Sequence, residues 1–257
     1  MVLIPAERRN RIRSIVNDQG IVRVSLLSEL LKVSEITIRR DLEHLEQEGV
    51  LERTHGGAIQ SQRMQWEPLY TEKYHIHSEE KRQIGKAAAS LVQDGDALLV
   101  NSGSTTFHIF RHLAGRKNLR VITTNMGAAL ETQGLDLELL LVGGTYREQS
   151  NSLVGPLAML SLQQVYGSKC FIGVDGISRK YGLTTPTLQL AEIARAMIER
   201  TKGRVIMVAD HSKLGVVADF VMAPIEKVDV LVVDGDFDES YRGELEELGI
   251  QILVAAT

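Results

Sequence analysis

One cysteine in 257 residues, Cys170, excludes an internal disulfide, and a lone thiol suits a reducing compartment, so the cytoplasm is the expected location. No CxxC pair and no HExxH run is present, which removes the common zinc frames. Gly85-Lys86 runs into Ala87 instead of Ser or Thr, and no GxGxxG follows a strand-like run, so neither mononucleotide nor dinucleotide loops are complete. Neither a metal nor an organic cofactor is therefore expected. Apolar runs such as 97–100 (ALLV) and 139–142 (LLLV) fall far short of the roughly 18 residues a membrane helix needs. Residues 1–20 are rich in Arg and lack an apolar segment, so no export signal and no membrane partner are expected. Residues 1–60 contain no Phe, Tyr or Trp, which argues against a base-stacking platform for single-stranded RNA.

A general excess of basic charge is absent too. The net charge is -4, and residues 1–60 hold nine Lys/Arg against nine Asp/Glu. Any nucleic-acid contact must come from local clusters such as Arg8, Arg9, Arg11 and Arg13, or Arg39 and Arg40. What is present, 44% apolar and 24% charged residues with a mean hydropathy of -0.04, fits a globular protein long enough for two domains.

Pro5 can open a first helix that Gly20 closes, with Ile12, Ile15 and Val16 at helical spacing. Ser25 is the expected cap of a second helix, with Leu27, Leu30 and Leu31 in one stripe. Ser34 can cap a third helix whose Ile38, Leu42 and Leu45 face inward up to Gly49. Residues 50–54 and 55–59 then read as a hairpin around glycines, and three helices with a hairpin make a winged helix. Residues 61–78 are irregular and polar, a linker that packs. Beyond it, helical spans at 80–92, 105–114, 126–133, 153–165, 187–201 and 239–248 alternate with strands at 97–100, 119–123, 137–142, 169–174, 204–209, 228–233 and 250–254. Strands so continuously apolar are buried on both faces, as in a parallel sheet between helices. The expected fold is α/β: a winged helix-turn-helix over 1–60, the linker, and a parallel-sheet α/β effector domain over 79–257.

Two constellations carry chemistry. At 100° per residue, Ile36, Thr37, Arg40, His44 and Gln47 fall opposite the buried stripe of the third helix, and a major groove admits one such helix. Ile36, Thr37 and Arg40 are the natural base readers, and Arg39 reaches sideways toward a phosphate. In the second constellation, strand 97–100 runs into Asn101-Ser102-Gly103-Ser104-Thr105-Thr106, where hydroxyls and backbone N–H groups converge. Other strand ends supply Asn125, Gly143-Gly144 with Arg147, Asp175, and Asp210-His211-Ser212-Lys213. In open parallel sheets ligands bind at that end. Cys170 reads as a core residue, His75 and His77 as linker residues instead of metal ligands, and His211 as no catalyst.

The run Val33-Ser34-Glu35-Ile36-Thr37-Ile38-Arg39-Arg40-Asp41-Leu42, followed by Leu45, Gly49, Leu51, Arg53 and His55-Gly56-Gly57-Ala58, resembles the DNA-binding signature of DeoR-type bacterial repressors. The resemblance extends over nearly the whole chain. It implies binding of double-stranded operator DNA through Ser34, Ile36, Thr37, Arg39 and Arg40, with Arg53 and His55 of the wing near the backbone. It further implies an effector domain similar in fold to sugar-phosphate isomerases and CoA-transferase-like enzymes, binding a small phosphorylated sugar or related anion. Gly103, Ser104, Thr105 and Thr106 would hold the phosphate, Asn125, Gly143 and Gly144 would shape the pocket, and Asp175 and Glu192 would meet hydroxyls. Lys213 would pair with the anion, with Arg147 as a weaker candidate. Two departures stand out: Asn101 where the family more often has Asp, and Lys73 where it commonly has Arg. The expected function is a transcriptional regulator repressing a carbohydrate-metabolism operon, a homo-oligomer because one winged helix covers few base pairs. The alternative is a sugar-phosphate isomerase or deaminase with a DNA-binding appendage, using Glu192 or Asp175 as base.

Overall fold

The computed structural model describes residues 4–54, 56–60, 62–64, 67–239 and 241–256. The N-terminal head contains α1 (Pro5–Gln19), β1 (Ile21–Arg23), α2 (Val24–Leu31), α3 (Glu35–Gln47), β2 (Leu51–Thr54) and β3 (Gly57–Gln60). Pro5 starts α1, and Gly20, at φ 74°, ends it. Ser34 caps α3, its Oγ accepting the Thr37 amide at 3.3 Å. Ser25 does not cap α2. That helix begins two residues earlier, at Val24 behind Arg23, because residues 21–23 are drawn into an antiparallel sheet of order β1-β3-β2. The third strand was not expected. Ile12, Val16, Leu27, Ile38, Leu42, Leu45 and Leu51 form the head's core, all essentially removed from water.

The chain continues through β4 (Gln62–Arg63), α4 (Tyr70–His75), α5 (Ser78–Ser90), β5 (Ala97–Val100), α6 (Phe107–Phe110), β6 (Leu119–Thr123), α7 (Ala128–Glu131) and β7 (Leu137–Leu141). Then come β8 (Thr145–Arg147), β9 (Ser152–Val154), α8 (Pro156–Leu162), β10 (Gly167–Gly173), β11 (Gly176–Ser178), β12 (Gly182–Thr185) and α9 (Leu188–Glu199). The last elements are β13 (Thr201–Val208), β14 (Val216–Val217), β15 (Phe220–Ala223), β16 (Val230–Val233), α10 (Arg242–Glu247) and β17 (Gln251–Val254).

All seven strands read from the sequence join one parallel sheet of order β17-β16-β13-β10-β5-β6-β7. Alternate residues feed two cores: Leu99, Cys170, Ile172 and Met207 on one face, Leu98, Val100, Phe171 and Ile206 on the other. That two-sided burial is why the strands are apolar without alternation. Burial pushes the Cys170 thiol up to about 12, which leaves it an inert core group.

Several helical expectations shrink. The span 105–114 is helical only at Phe107–Phe110, and 126–133 only at Ala128–Glu131. The span 153–165 opens at the end of β9, which pairs with β8, and becomes helical only after Gly155, at φ 91°, with Pro156 as the first helical residue. A small sheet of order β11-β12-β15 and the parallel pair β14–β4 are additions. Through the latter, Gln62–Arg63 runs alongside Val216–Val217, so the segment leaving the head is stitched to the C-terminal lobe. No helix among the described residues is long and apolar enough to cross a membrane.

Candidate functional site

On the head, α3 presents Ile36, 67% exposed, together with exposed Arg39 and Arg40 and half-buried Thr37. An isoleucine so bare on a helix whose other apolar residues are buried is suited to contact with a thymine methyl. The Ser34 and Thr37 hydroxyls bond to each other at 2.9 Å, which fixes the start of the helix. Arg39 lies 3.6 Å from Glu35 and Arg53 is half-buried on β2. His55 lies outside the described residues. The Arg cluster of α1 is only partly available: Arg8 is buried and forms a forked ion pair with Asp41, and Arg13 bonds Glu48 at 2.8 Å. Arg40→Ala is expected to lower operator affinity by about 1–3 kcal/mol and relax base preference at one position, read by anisotropy against single-base variants. Unchanged affinity and preference would remove Arg40 from base readout.

In the C-terminal lobe a cavity of about 100 Å³ lies at the carboxyl ends of the sheet strands. It gathers six of the residues read from the sequence: Asn101, Gly103, Ser104, Thr105, Asp175 and Lys213. The loop after β5 is built on Asn101, whose Nδ2 donates to the Gly173 carbonyl at 2.9 Å while its Oδ1 accepts the Gly173 amide at 2.8 Å. A carboxylate could only accept, so the departure at this position serves a two-way strut between neighbouring strands. Thr106 turns away and donates to the carbonyls of Asn101 and Gly103. With α6 reduced to one turn, the loop offers hydroxyls and amides, without a long helix behind them.

Besides Thr106, the structure leaves five candidates outside the cavity wall. Asn125 is fully buried and accepts the Gly127 amide. Gly144 allows close packing, since a Cβ there would fall 2.7 Å from the Val154 carbonyl oxygen, and Gly143 is exposed. Arg147 makes a forked ion pair with Glu67 at 2.7 and 2.5 Å. Glu192 is half-buried on α9, whose Leu190 and Ile193 line the cavity in its place.

Sequence reading missed the opposite wall. Met64, Pro68, Tyr70, Lys73 and Ile76, all from the segment between head and lobe, line the cavity. Lys73 Nζ meets Asp175 Oδ1 at 2.8 Å, and Thr185 donates to Asp175 Oδ2 at 2.8 Å. Burial would raise the Asp175 carboxyl, but Lys73, Thr185 and Lys213 outweigh it and hold it below the usual carboxylate range. Lys81, 2% exposed, also faces the cavity and donates to the carbonyls of Lys73 and Ile76. Burial, reinforced by Lys213 and Lys73 against the opposing pull of Asp210, brings Lys81 down to about 8. A signal existed: Lys81 interrupts the apolar stripe of Ile84, Ala88 and Ala89 on α5. The hydroxyls of Thr124 and Ser152 line the cavity, buried and without a hydrogen-bond partner among the described residues. Buried polar atoms rarely go unsatisfied, so these two are positions for a polar ligand or water. His211 bonds Asp234 at 2.9 Å and does not form a dyad with Asp210.

A winged helix-turn-helix head joined to an α/β lobe with a polar, lysine-lined cavity defines a DNA-binding regulator with a sensor lobe. The sequence matches the family description "DeoR-like helix-turn-helix domain" over residues 8–63 and "DeoR C terminal sensor domain" over residues 76–235. It is 34% identical to the HTH-type transcriptional regulator GlpR of Haloferax volcanii, covering 98% of both chains. It is also 34% identical to the transcriptional repressor AccR of Agrobacterium fabrum, covering 89% of both. Among solved structures, a ribose 5-phosphate isomerase A from Methanocaldococcus jannaschii aligns over 54% of this chain and 55% of its own, at a TM-score of 0.40 and 18% identity. The chain belongs to the DeoR family of DNA-binding transcriptional regulators.

Proposed function

We propose that this regulator represses a carbohydrate-metabolism operon and releases or tightens on its operator when a small phosphorylated sugar, or a related hydroxylated anion, occupies the lobe cavity. The observation that carries this reading is the shared wall: the segment tied covalently to the head supplies Met64, Tyr70 and Lys73 to the cavity. A ligand that competes for Asp175 must disturb Lys73, and with it the head's attachment. Lys73, Lys81 and Lys213 supply cations for a phosphate, with Gly103, Ser104 and Thr105 as amide and hydroxyl donors, while Asp175 suits sugar hydroxyls. Thr106 and Asn101 brace this loop, while Asn125, Gly143, Gly144, Arg147 and Glu192 lie outside the cavity wall. Ser34, Ile36, Thr37, Arg39, Arg40 and Arg53 serve the DNA side, in a cytoplasmic homo-oligomer whose heads read paired half-sites. A tenfold change in operator affinity needs only about 1.4 kcal/mol of differential ligand binding, comparable to a single charge-assisted hydrogen bond.

Melting of the protein with a panel of pentose and hexose phosphates tests the reading: a ligand should raise the transition by mass action, and Lys213→Ala should abolish the rise. A rise undiminished in that variant would remove Lys213 from the site. Proton exchange from a bound sugar phosphate into deuterated water would instead reveal an enzyme. Sulfate, whose charge is constant through the neutral and mildly alkaline range, should bind more weakly as pH rises through about 8, because Lys81 loses its charge there. Calorimetry in two buffers should record proton uptake on binding. A pH-independent affinity over that range would exclude Lys81 as the anion's partner.

A further inference from the structure

A second opening lies between the lobes, a cleft of about 720 Å³ that contains Arg39 of α3, Arg53 of β2, and Arg179 and Lys180 from the β11–β12 turn. Three of these cations face outward: the side chains of Arg179 and Arg39 are 58% and 47% exposed, and Lys180 is exposed beside the Tyr181 ring, while Arg53 is half-buried. The carboxylates sharing the cleft are turned inward. Glu46 accepts the Arg53 amide at 3.0 Å, Glu52 is buried against the Ser178 hydroxyl and the Arg179 backbone, and Glu244 is buried 3.9 Å from Arg179.

The turn is also held in place. Its strands pair Gly176 with Thr184 and Ser178 with Gly182, and the Ser178 hydroxyl accepts the Tyr181 amide at 3.0 Å. Glu52 of the wing strand is buried in the same cleft beside its tip, while at its base Asp175 and Thr185 bond to each other in the ligand cavity. On α3, Arg39 and Gln47 border both the cleft and the outer face that carries Ile36 and Arg40. Duplex DNA lying along that face passes the mouth of the cleft, and duplex DNA carries one charge per roughly 1.7 Å of axis.

We propose that Arg179 and Lys180 bind backbone phosphates of the DNA held by the head, a contact made by the C-terminal lobe itself. The inference rests on the head's binding DNA through α3. It gives the sensor lobe a direct part in affinity: the hairpin that grips DNA at its tip carries two cavity residues at its base.

The test is the salt dependence of binding, by anisotropy of a labelled duplex of mixed sequence and the full-length protein. The double variant Arg179→Ala/Lys180→Ala should lower the slope of log affinity against log salt by about 0.9 for each lost phosphate, and weaken binding on the order of tens-fold in about 0.1 M salt. Reversal to Glu at both positions should weaken it further. Lys202→Ala, at the opposite end of the sheet strands, should match the wild type. A wild-type slope in the double variant overturns the proposal, as does weaker binding without a change of slope, which would mean altered docking of the head. If the wild type itself shows no salt-dependent binding, the DNA reading of α3 falls, and this contact with it.

Discussion

Asp41→Ala is expected to unfold the N-terminal head while leaving the C-terminal lobe folded. Asp41 is 4% exposed, and its carboxylate takes a forked bond from Arg8, itself 7% exposed, across the interface of α3 with α1. Removing one member of a buried pair strands the other charge, at a cost of about 3–5 kcal/mol. A domain of this size has a total stability of roughly the same magnitude, about 0.05–0.15 kcal/mol per residue, so most or all of what holds the head is lost. Urea unfolding followed by far-UV dichroism should split into an early head transition, or start with the head already unfolded, while sugar-phosphate binding persists. A single unfolding transition at the wild-type midpoint would show that the pair contributes little.

Gly57→Ala should be nearly as severe, and its neighbour supplies the control. A Cβ on Gly57 would fall 1.8 Å from the Val22 carbonyl oxygen and 2.9 Å from its carbon, both backbone atoms of the paired β1 strand. No flexible side chain is available to yield, so β1 must leave the sheet, at a cost of about 3 kcal/mol or more. At Gly56 an added Cβ meets nothing within 4 Å, so Gly56→Ala should melt and bind DNA almost as the wild type does. Equal melting temperatures for the two variants would contradict the close-approach explanation.

These two residues show what the sequence disclosed. The run from Val33 to Leu42 and the HGGA segment read as one DNA-binding signature, yet Asp41 and Gly57 belong to the scaffold and Ile36 and Arg40 to the exposed face. The periodicity of α3 and the apolar sheet strands were legible because each follows from burial that local spacing records. The β11–β12 hairpin was not. Its strands are short, carry Gly, Ser and Thr, and pair through backbone bonds that leave no alternation to read. Lys73 was noticed only as a departure, because its partner Asp175 is 102 residues away. Arg147 and Glu192 were placed at strand ends and on a helix without any means of telling which way they point; the ion pair with Glu67 occupies the first.

The coupling itself is open to one direct measurement: operator affinity of the full-length protein with and without a saturating sugar phosphate, on a duplex selected by the protein from a randomised pool. A ligand gripped between Asp175 and the head's own attachment segment should change the dissociation constant tenfold or more, about 1.4 kcal/mol, and Lys73→Met should erase the difference. An operator dissociation constant that stays the same while calorimetry shows the cavity filled would mean that the lobe senses its ligand without telling the head.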